Sequence, residues 1–238
     1  MTRSTRIGTV GWSIPRQVAD RFPAEGSGLE RYAACFNAVE INTSFYRPHR
    51  RATYERWAAS VPADFRFAVK LPKAISHVAR LADCASDLAR FAGEIAGLGE
   101  KRGPVLVQLP PKLEFDAAVA QDFFTLAAGT LGGPIVCEPR HPSWFEPGAD
   151  ALLAGQRIAR VAADPARMPE AALPGGWPGL VYIRLHGSPD MYRSGYAPGQ
   201  LERWARAAAR DVPAWVIFDN TTLGHAAADA LALQSLVT

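Results

Sequence analysis

Cysteine is scarce in this chain: Cys35, Cys84 and Cys137 are the only three in 238 residues, and no two lie close together. An odd, scattered set excludes a disulfide framework and a zinc-ribbon pattern, so all three are expected as reduced, mostly buried thiols. An excess of one charge is missing too. Lys and Arg number 26 against 23 Asp and Glu, and the arginines are scattered rather than run together, so charge alone gives no argument for nucleic acid. Met1 to Arg6 is polar and lacks the apolar stretch of a signal peptide, and no later run approaches a membrane span. A cytoplasmic protein without a membrane partner is the expectation. GxSxG elbows, Walker loops and HExxH pairs are also absent, which removes several common hydrolase and nucleotide-binding readings.

What is present is alternation. Eight β-rich runs are expected as strands: Ile7 to Gly11, Ala38 to Asn42, Arg66 to Lys70, Pro104 to Leu109, Pro134 to Glu138, Ile158 to Asp164, Leu180 to His186 and Ala214 to Asn220. Amphipathic segments separate them, with apolar residues at helical spacing such as Leu29, Tyr32, Ala33 and Phe36. Ser27 with Glu30 spells a capping box, Asp116 can cap a later helix, and Gly99 and Gly129 read as left-handed stops. Repeated strand and helix units imply parallel pairing, and no Gly-rich phosphate loop follows the first strand to favour an open doubly wound sheet. The expectation is a single-domain TIM-type (β/α)8 barrel over residues 1–238. Four prolines between Asp164 and Gly179 should leave its sixth helix short or missing. Long connections after the first, third and seventh strands gather irregular sequence on the face where such barrels place their sites.

Alternating side chains along strands assign direction. With Val39, Ile41, Phe67, Val69, Val105, Val107, Ile135 and Cys137 facing helices, Glu40, Asn42, Lys70, Gln108 and Glu138 turn inward. The same rule turns Arg160 and Asp164 inward opposite Ala159 and Val161, and Tyr182, Arg184 and His186 opposite Val181, Ile183 and Leu185; the last strand leaves Asp219 and Asn220 undecided. Six strands thus deliver ionisable or amide groups near their carboxyl ends. Buried charge is costly unless it is paired or used, so the choice lies between a self-neutralising network and a working site. As a site, Lys70, Glu138 and His186 are the candidate catalytic groups. Glu40, Asn42, Tyr46, Gln108, Arg140, His141, Trp144, Asp164, Arg184, Asp219 and Asn220 are candidate ligand contacts. Gly187, Ser188, Thr221 and Thr222 could bind an anion through free amides in the last two loops. Trp12, Phe45, Tyr46, Trp144, Tyr192 and Tyr196 could form stacking walls for a sugar or base, or simply pack. His49, His77 and His225 have no partner spacing and read as surface or capping residues.

The stretches GTVGW at Gly8 to Trp12, VEINTSFYR at Val39 to Arg47, FRFAVKLPKAISH at Phe65 to His77, LVQLPP at Leu106 to Pro111, EPRHPSW at Glu138 to Trp144, YIRLHG at Tyr182 to Gly187 and FDNT at Phe218 to Thr221 are carried in order along nearly the whole chain. In these the chain resembles the domain of unknown function 72 family, also called YecE-like. The resemblance implies a barrel with a pocket near these motifs and no established activity; Asp219 stands where relatives frequently carry Asn. Barrels of this group look similar to the apurinic endonuclease and sugar isomerase superfamily, which uses divalent metals, although that superfamily's ligand motifs do not match here residue by residue. His186, Glu40, Glu138 and Asp219 offer donors, but Lys70 and Arg184 oppose a dication, so no cofactor is expected and a divalent metal is only the lesser alternative. The leading expectation is an enzyme acting on a small anionic or polyhydroxylated ligand. The alternatives are a nucleic-acid-binding or phosphodiester-cleaving protein and a non-enzymatic metabolite-binding protein.

Overall fold

The computed structural model describes residues 5–237. It is an α/β structure in which strands and helices alternate: β1 (Arg6–Thr9), α1 (Gly28–Ala33), β2 (Ala38–Ile41), α2 (Arg51–Ala59), β3 (Arg66–Lys70), α3 (Ala85–Ile95), β4 (Arg102–Gln108), α4 (Ala117–Leu131) and β5 (Ile135–Glu138). The second half continues with α5 (Pro147–Gly155), β6 (Ala159–Arg160), β7 (Ala162–Asp164), β8 (Gly175–Gly176), β9 (Val181–Leu185), α6 (Pro198–Ala208), β10 (Ala214–Phe218) and α7 (His225–Val237). Among the described residues no helix is long and apolar enough to cross a membrane.

The strands form two hydrogen-bonded sheets rather than one uninterrupted ladder. One runs β1-β10-β9-β7 and is wholly parallel; the other runs β2-β3-β4-β5-β6-β8 and is parallel except for β8, which lies antiparallel to β6. Two local causes separate them. The expected sixth strand divides at Val161: its first half pairs with β5 and its second with β9. Between β1 and β2 the pairing shrinks to one parallel bridge, Val10 with Glu40, where Gly11 turns the chain at φ +66°.

Helix ends follow the local chemistry. Ser27 and Glu30 close a reciprocal capping box on α1, and Asp116 accepts from the Val119 amide at the start of α4. Gly99 has a φ of +54°, as expected of a stop, but α4 runs through Gly129 and ends at Gly132, φ +61°. Glycine costs a helix interior only about 1 kcal/mol, so Gly129 is tolerated mid-helix and the glycine with positive φ marks the end. After β7 only a four-residue 3-10 turn, Pro169–Ala172, stands where a sixth helix would be. The three thiols are free, Cys84 and Cys137 buried and Cys35 half-buried.

Two apolar clusters result. The larger lies between strands and helices and takes Val39, Ile41, Phe67, Val69, Val105, Val107, Cys137, Ile183 and Phe218 with the buried helical residues. The smaller contains no helical residue: Ala38, Ala68, Leu106, Val136, Ala159, Tyr182, Trp215 and Ile217 come from strands of both sheets. This second cluster is the floor beneath the polar groups.

Candidate functional site

Stepping two residues along each strand from the smaller apolar cluster reaches a layer of polar groups. Ala38 leads to Glu40, Ala68 to Lys70, Leu106 to Gln108, Val136 to Glu138, Tyr182 to Arg184 and Ile217 to Asp219. All six are buried, because strand alternation keeps one face turned to the same interior. The undecided pair at the end of β10 is resolved by the same parity: Asp219 joins the layer. Asn220 faces the other way, donating to Asp229 of α7 and to the Ser194 carbonyl.

Arg184 is the hub. Its guanidinium donates to Glu40 through Nε (3.1 Å) and Nη2 (2.8 Å), to Glu138 through Nη1 (2.7 Å) and to Asp219 through Nη2 (3.0 Å), with no exposure. Glu40 also accepts from the Tyr182 hydroxyl (2.8 Å). Glu138 accepts from the Gln108 amide and from Arg140. Burial opposes ionisation of Glu138, but Arg184, His186 and Arg140 outweigh it and hold the carboxyl well below the usual range. Asp219 is lowered in the same way against its burial, by Arg184 and His186. His186 packs its Nδ1 against Asp219 Oδ2 at 3.0 Å, with Nε2 at 3.7 Å from Glu138 Oε1. Burial and Arg184 push its pKa down, yet the two carboxylates prevail and raise it.

Lys70 is different. It is 5% exposed, and its ammonium has no carboxylate within 4.0 Å among the described residues; it lies instead over the Phe45 ring, 4.2 Å from the centroid. Burial, then Arg184, bring its pKa down to about 8, against the pull of Glu40, Glu138 and Asp219.

The remaining expected contacts divide. Tyr46 is 73% exposed at the rim, and Asn42 is half-buried with its Oδ1 inaccessible and without a partner. Both line a cleft of about 350 Å³ with Gly11, Trp12 and Thr43. Five expectations are corrected. Asp164 lies on the helix side with Ala162 and faces Arg203 of α6 at 3.6 Å. Arg160, also expected inward, points outward to Asp150: Ala159 and Val161 pack into the inner cluster, which leaves Arg160, Ala162 and Asp164 together on the opposite parity. Trp144 is core, its indole donating to the Leu113 carbonyl, and His141 caps a 3-10 turn through Ser143. In the expected anion loops the Gly187 amide is spent on the Tyr196 hydroxyl and the Thr222 amide on the Tyr192 carbonyl. Thr221 is exposed in the turn before α7, Ser188 is half-buried beside Gly187, and neither enters the polar layer.

Parity turned Tyr182 inward without singling it out as a partner of Glu40, and His77, expected as a surface or capping residue, lies closer to the site than that. His77 sits in a π-helical turn, Ala74–Val78, after β3, and its ring meets the far side of the site through Phe45 at 5.0 Å. Burial, Lys70, Arg140 and Lys73 bring its pKa to about 4. No periodicity announces a π turn, which occurs often at functional positions.

The donor set does not fit a divalent metal. Glu40, Glu138 and Asp219 are already drawn onto one guanidinium at 2.7 to 3.0 Å, and His186 Nδ1 is committed to Asp219. A dication placed among them would meet Arg184 itself.

A family model described as "Protein of unknown function DUF72" matches residues 6–238. The UPF0759 protein YecE of Escherichia coli K12 is 31% identical over 145 residues, 60% of this chain and 51% of that protein, so the match spans about half the length of that curated relative. A DUF72 family protein from Enterococcus faecalis V583 superposes with a TM-score of 0.82 at 23% identity, covering 98% of this chain and 95% of that one. A 3-keto-D-glucoside 4-epimerase from E. coli superposes at 0.56 and 13% identity, covering 98% and 99%. These likenesses extend the fold assignment to α/β proteins that include a sugar epimerase.

Proposed function

Because the chain belongs to the DUF72 family, whose description carries no activity, we propose from the site itself that it is an enzyme transferring protons on a small polyhydroxylated or anionic substrate. The carrying observation is Lys70: a buried amine over Phe45 with no carboxylate at ion-pair distance, titrating at about 8. An amine of that strength exchanges protons near neutral pH, as general acid–base work requires. Glu138, held ionised by five hydrogen bonds, is too weak a base for that role and orients Arg184 and Arg140 instead. His186, facing both Asp219 and Glu138, is the second proton carrier. The Trp12, Asn42 and Tyr46 cleft suits the body of a sugar-like molecule, with aromatic faces beside polar side chains. Lys70 and Arg140 favour an anionic substituent inside, beside a His77 ring that their charge helps keep neutral. The likeness to an epimerase of a keto-glucoside is compatible with proton transfer beside a sugar carbonyl.

This reading rests on one closed eight-unit barrel forming a single domain. Its support is the apolar cluster drawn from strands of both sheets, the Val10 to Glu40 bridge and the six-strand polar layer.

The test is solvent deuterium exchange into a panel of aldoses, ketoses, keto-sugars and their phosphates, followed by NMR. A substrate should exchange with wild-type protein, with an apparent pKa near 8 in the rate, and should not exchange with Lys70→Met. Absence of exchange across the panel, or equal exchange by the Lys70→Met protein, overturns the proposal.

A further inference from the structure

The opposite mouth of the strands carries a second concentration of charge that the polar layer does not use. Arg6, Arg66 and Arg102 stand at the amino-terminal ends of β1, β3 and β4, and together with Trp177 and Trp215 they line a cleft of about 370 Å³. β3 alone separates the two regions, with Arg66 at its start and Lys70 at its end; four residue steps of roughly 3.3 Å put them on the order of 13 Å apart.

Among the described residues, no carboxylate lies within 4.0 Å of any of the three guanidinium groups, in contrast to Arg140, Arg160 and Arg184 elsewhere. Each uses one nitrogen on backbone carbonyls. Arg6 Nη1 donates to Asn37 and Asp64, Arg66 Nη1 to Ala63 and Phe65, and Arg102 Nη2 to Gly132. These bonds fix the side chains and leave their other donors free. Arg102 Nη1 is buried without any partner, and an unmet donor of a charged group is costly. Arg6 and Arg66 lie close enough to repel: after burial, Arg66 is the main influence depressing the Arg6 pKa. Three fixed forks of N–H groups with no carboxylate at ion-pair distance, Asp64 offsetting Arg6 only from farther away, match the oxygens of a phosphate group, while the indoles of Trp177 and Trp215 with Leu180 supply an apolar wall. Trp215 is held there because Gly103 leaves room: a Cβ on Gly103 would stand 2.5 Å from the indole.

We propose that this amino-terminal cleft is a binding site for a phosphate monoester with an aromatic or apolar body, separate from the proposed catalytic centre. Binding there supplies a close counter-charge to the three guanidinium groups without touching Lys70.

Phenyl phosphate is the probe, titrated calorimetrically at low and high salt into wild-type protein and into the Lys70→Met variant, which disables the other site. Saturable binding that persists in Lys70→Met, weakens with salt, and falls at least about tenfold with Arg66→Gln or Arg102→Gln is expected. Because those glutamine variants also remove bonds to carbonyls that hold the fold, wild-type protein is labelled with phenylglyoxal as well. Phenyl phosphate should then protect Arg66 and Arg102, located by peptide mass spectrometry. No saturable binding, binding lost in Lys70→Met, undiminished binding in folded glutamine variants, or unprotected arginines each overturn the site.

Discussion

Lys70 and Arg184 share one interior yet have opposite effects on stability. Lys70 titrates lower in the folded chain, at about 8 against an ordinary 10.5. The unfolded state therefore binds more protons between those values, and stability rises as pH climbs from 8 to 10.5. At pH 7 the charged amine costs up to roughly 3 kcal/mol. Lys70→Met should accordingly stabilise the protein at pH 7 and lose that advantage by pH 10.5, as measured by urea unfolding at both. Arg184→Met should do the reverse, since it strands Glu40, Glu138 and Asp219 without their shared partner. A loss of about 3–5 kcal/mol is expected at neutral pH. Glu138 and Asp219 have lowered pKa values, so their contribution is present above about 4, the ordinary carboxylate range. It disappears as pH falls through the folded values. His186 has the opposite sign: its raised pKa stabilises below about 6.5 and fades as pH rises through the folded value.

At the scale of elements, the third and sixth units depart most from regularity, and they show what a sequence can and cannot disclose. The inward side chains of β2, β3, β4, β5 and β9 were legible, because Val, Ile and Phe on one parity left charge on the other. The proline-rich stretch after β7 correctly foretold a missing helix. The break at Val161 was not legible, because pairing with two different neighbours is set by tertiary packing; nor was the face of the sixth strand, since Ala159 and Val161 pack inside and leave Arg160 and Asp164 on the helix side. Trp144 misled for a related reason, since an indole in a strand-end loop reads the same whether it faces ligand or Leu113. Arg160 instead stitches the irregular unit, donating to Asp150 of α5 and to the carbonyls of Glu170 and Leu173. Arg160→Met should therefore speed hydrogen exchange across residues 169–176 far more than in β3 or β4, a contrast that exchange mass spectrometry resolves.

For the molecule as a whole, the seam between β1 and β2 is the sensitive place. A Cβ on Gly8 would lie 2.0 Å from the Ala38 carbonyl oxygen, and backbone on both sides leaves nothing to rotate away. Gly8→Ala should cost more than about 3 kcal/mol and lower the unfolding midpoint in urea without changing its slope, as overpacking of a rigid contact does. A folded variant with an unchanged midpoint would mean the two sheets can part at that edge freely. Arg184 ties the same two sheets from inside: it stands on β9 of one and grips Glu40 on β2 and Glu138 on β5 of the other. The guanidinium is thus a clasp as well as a fixture of the chamber. Under the proposed function, a guest that competed for those carboxylates would loosen the fastening between halves and one that reinforced them would tighten it, so occupancy would be transmitted to the rigidity of the entire chain.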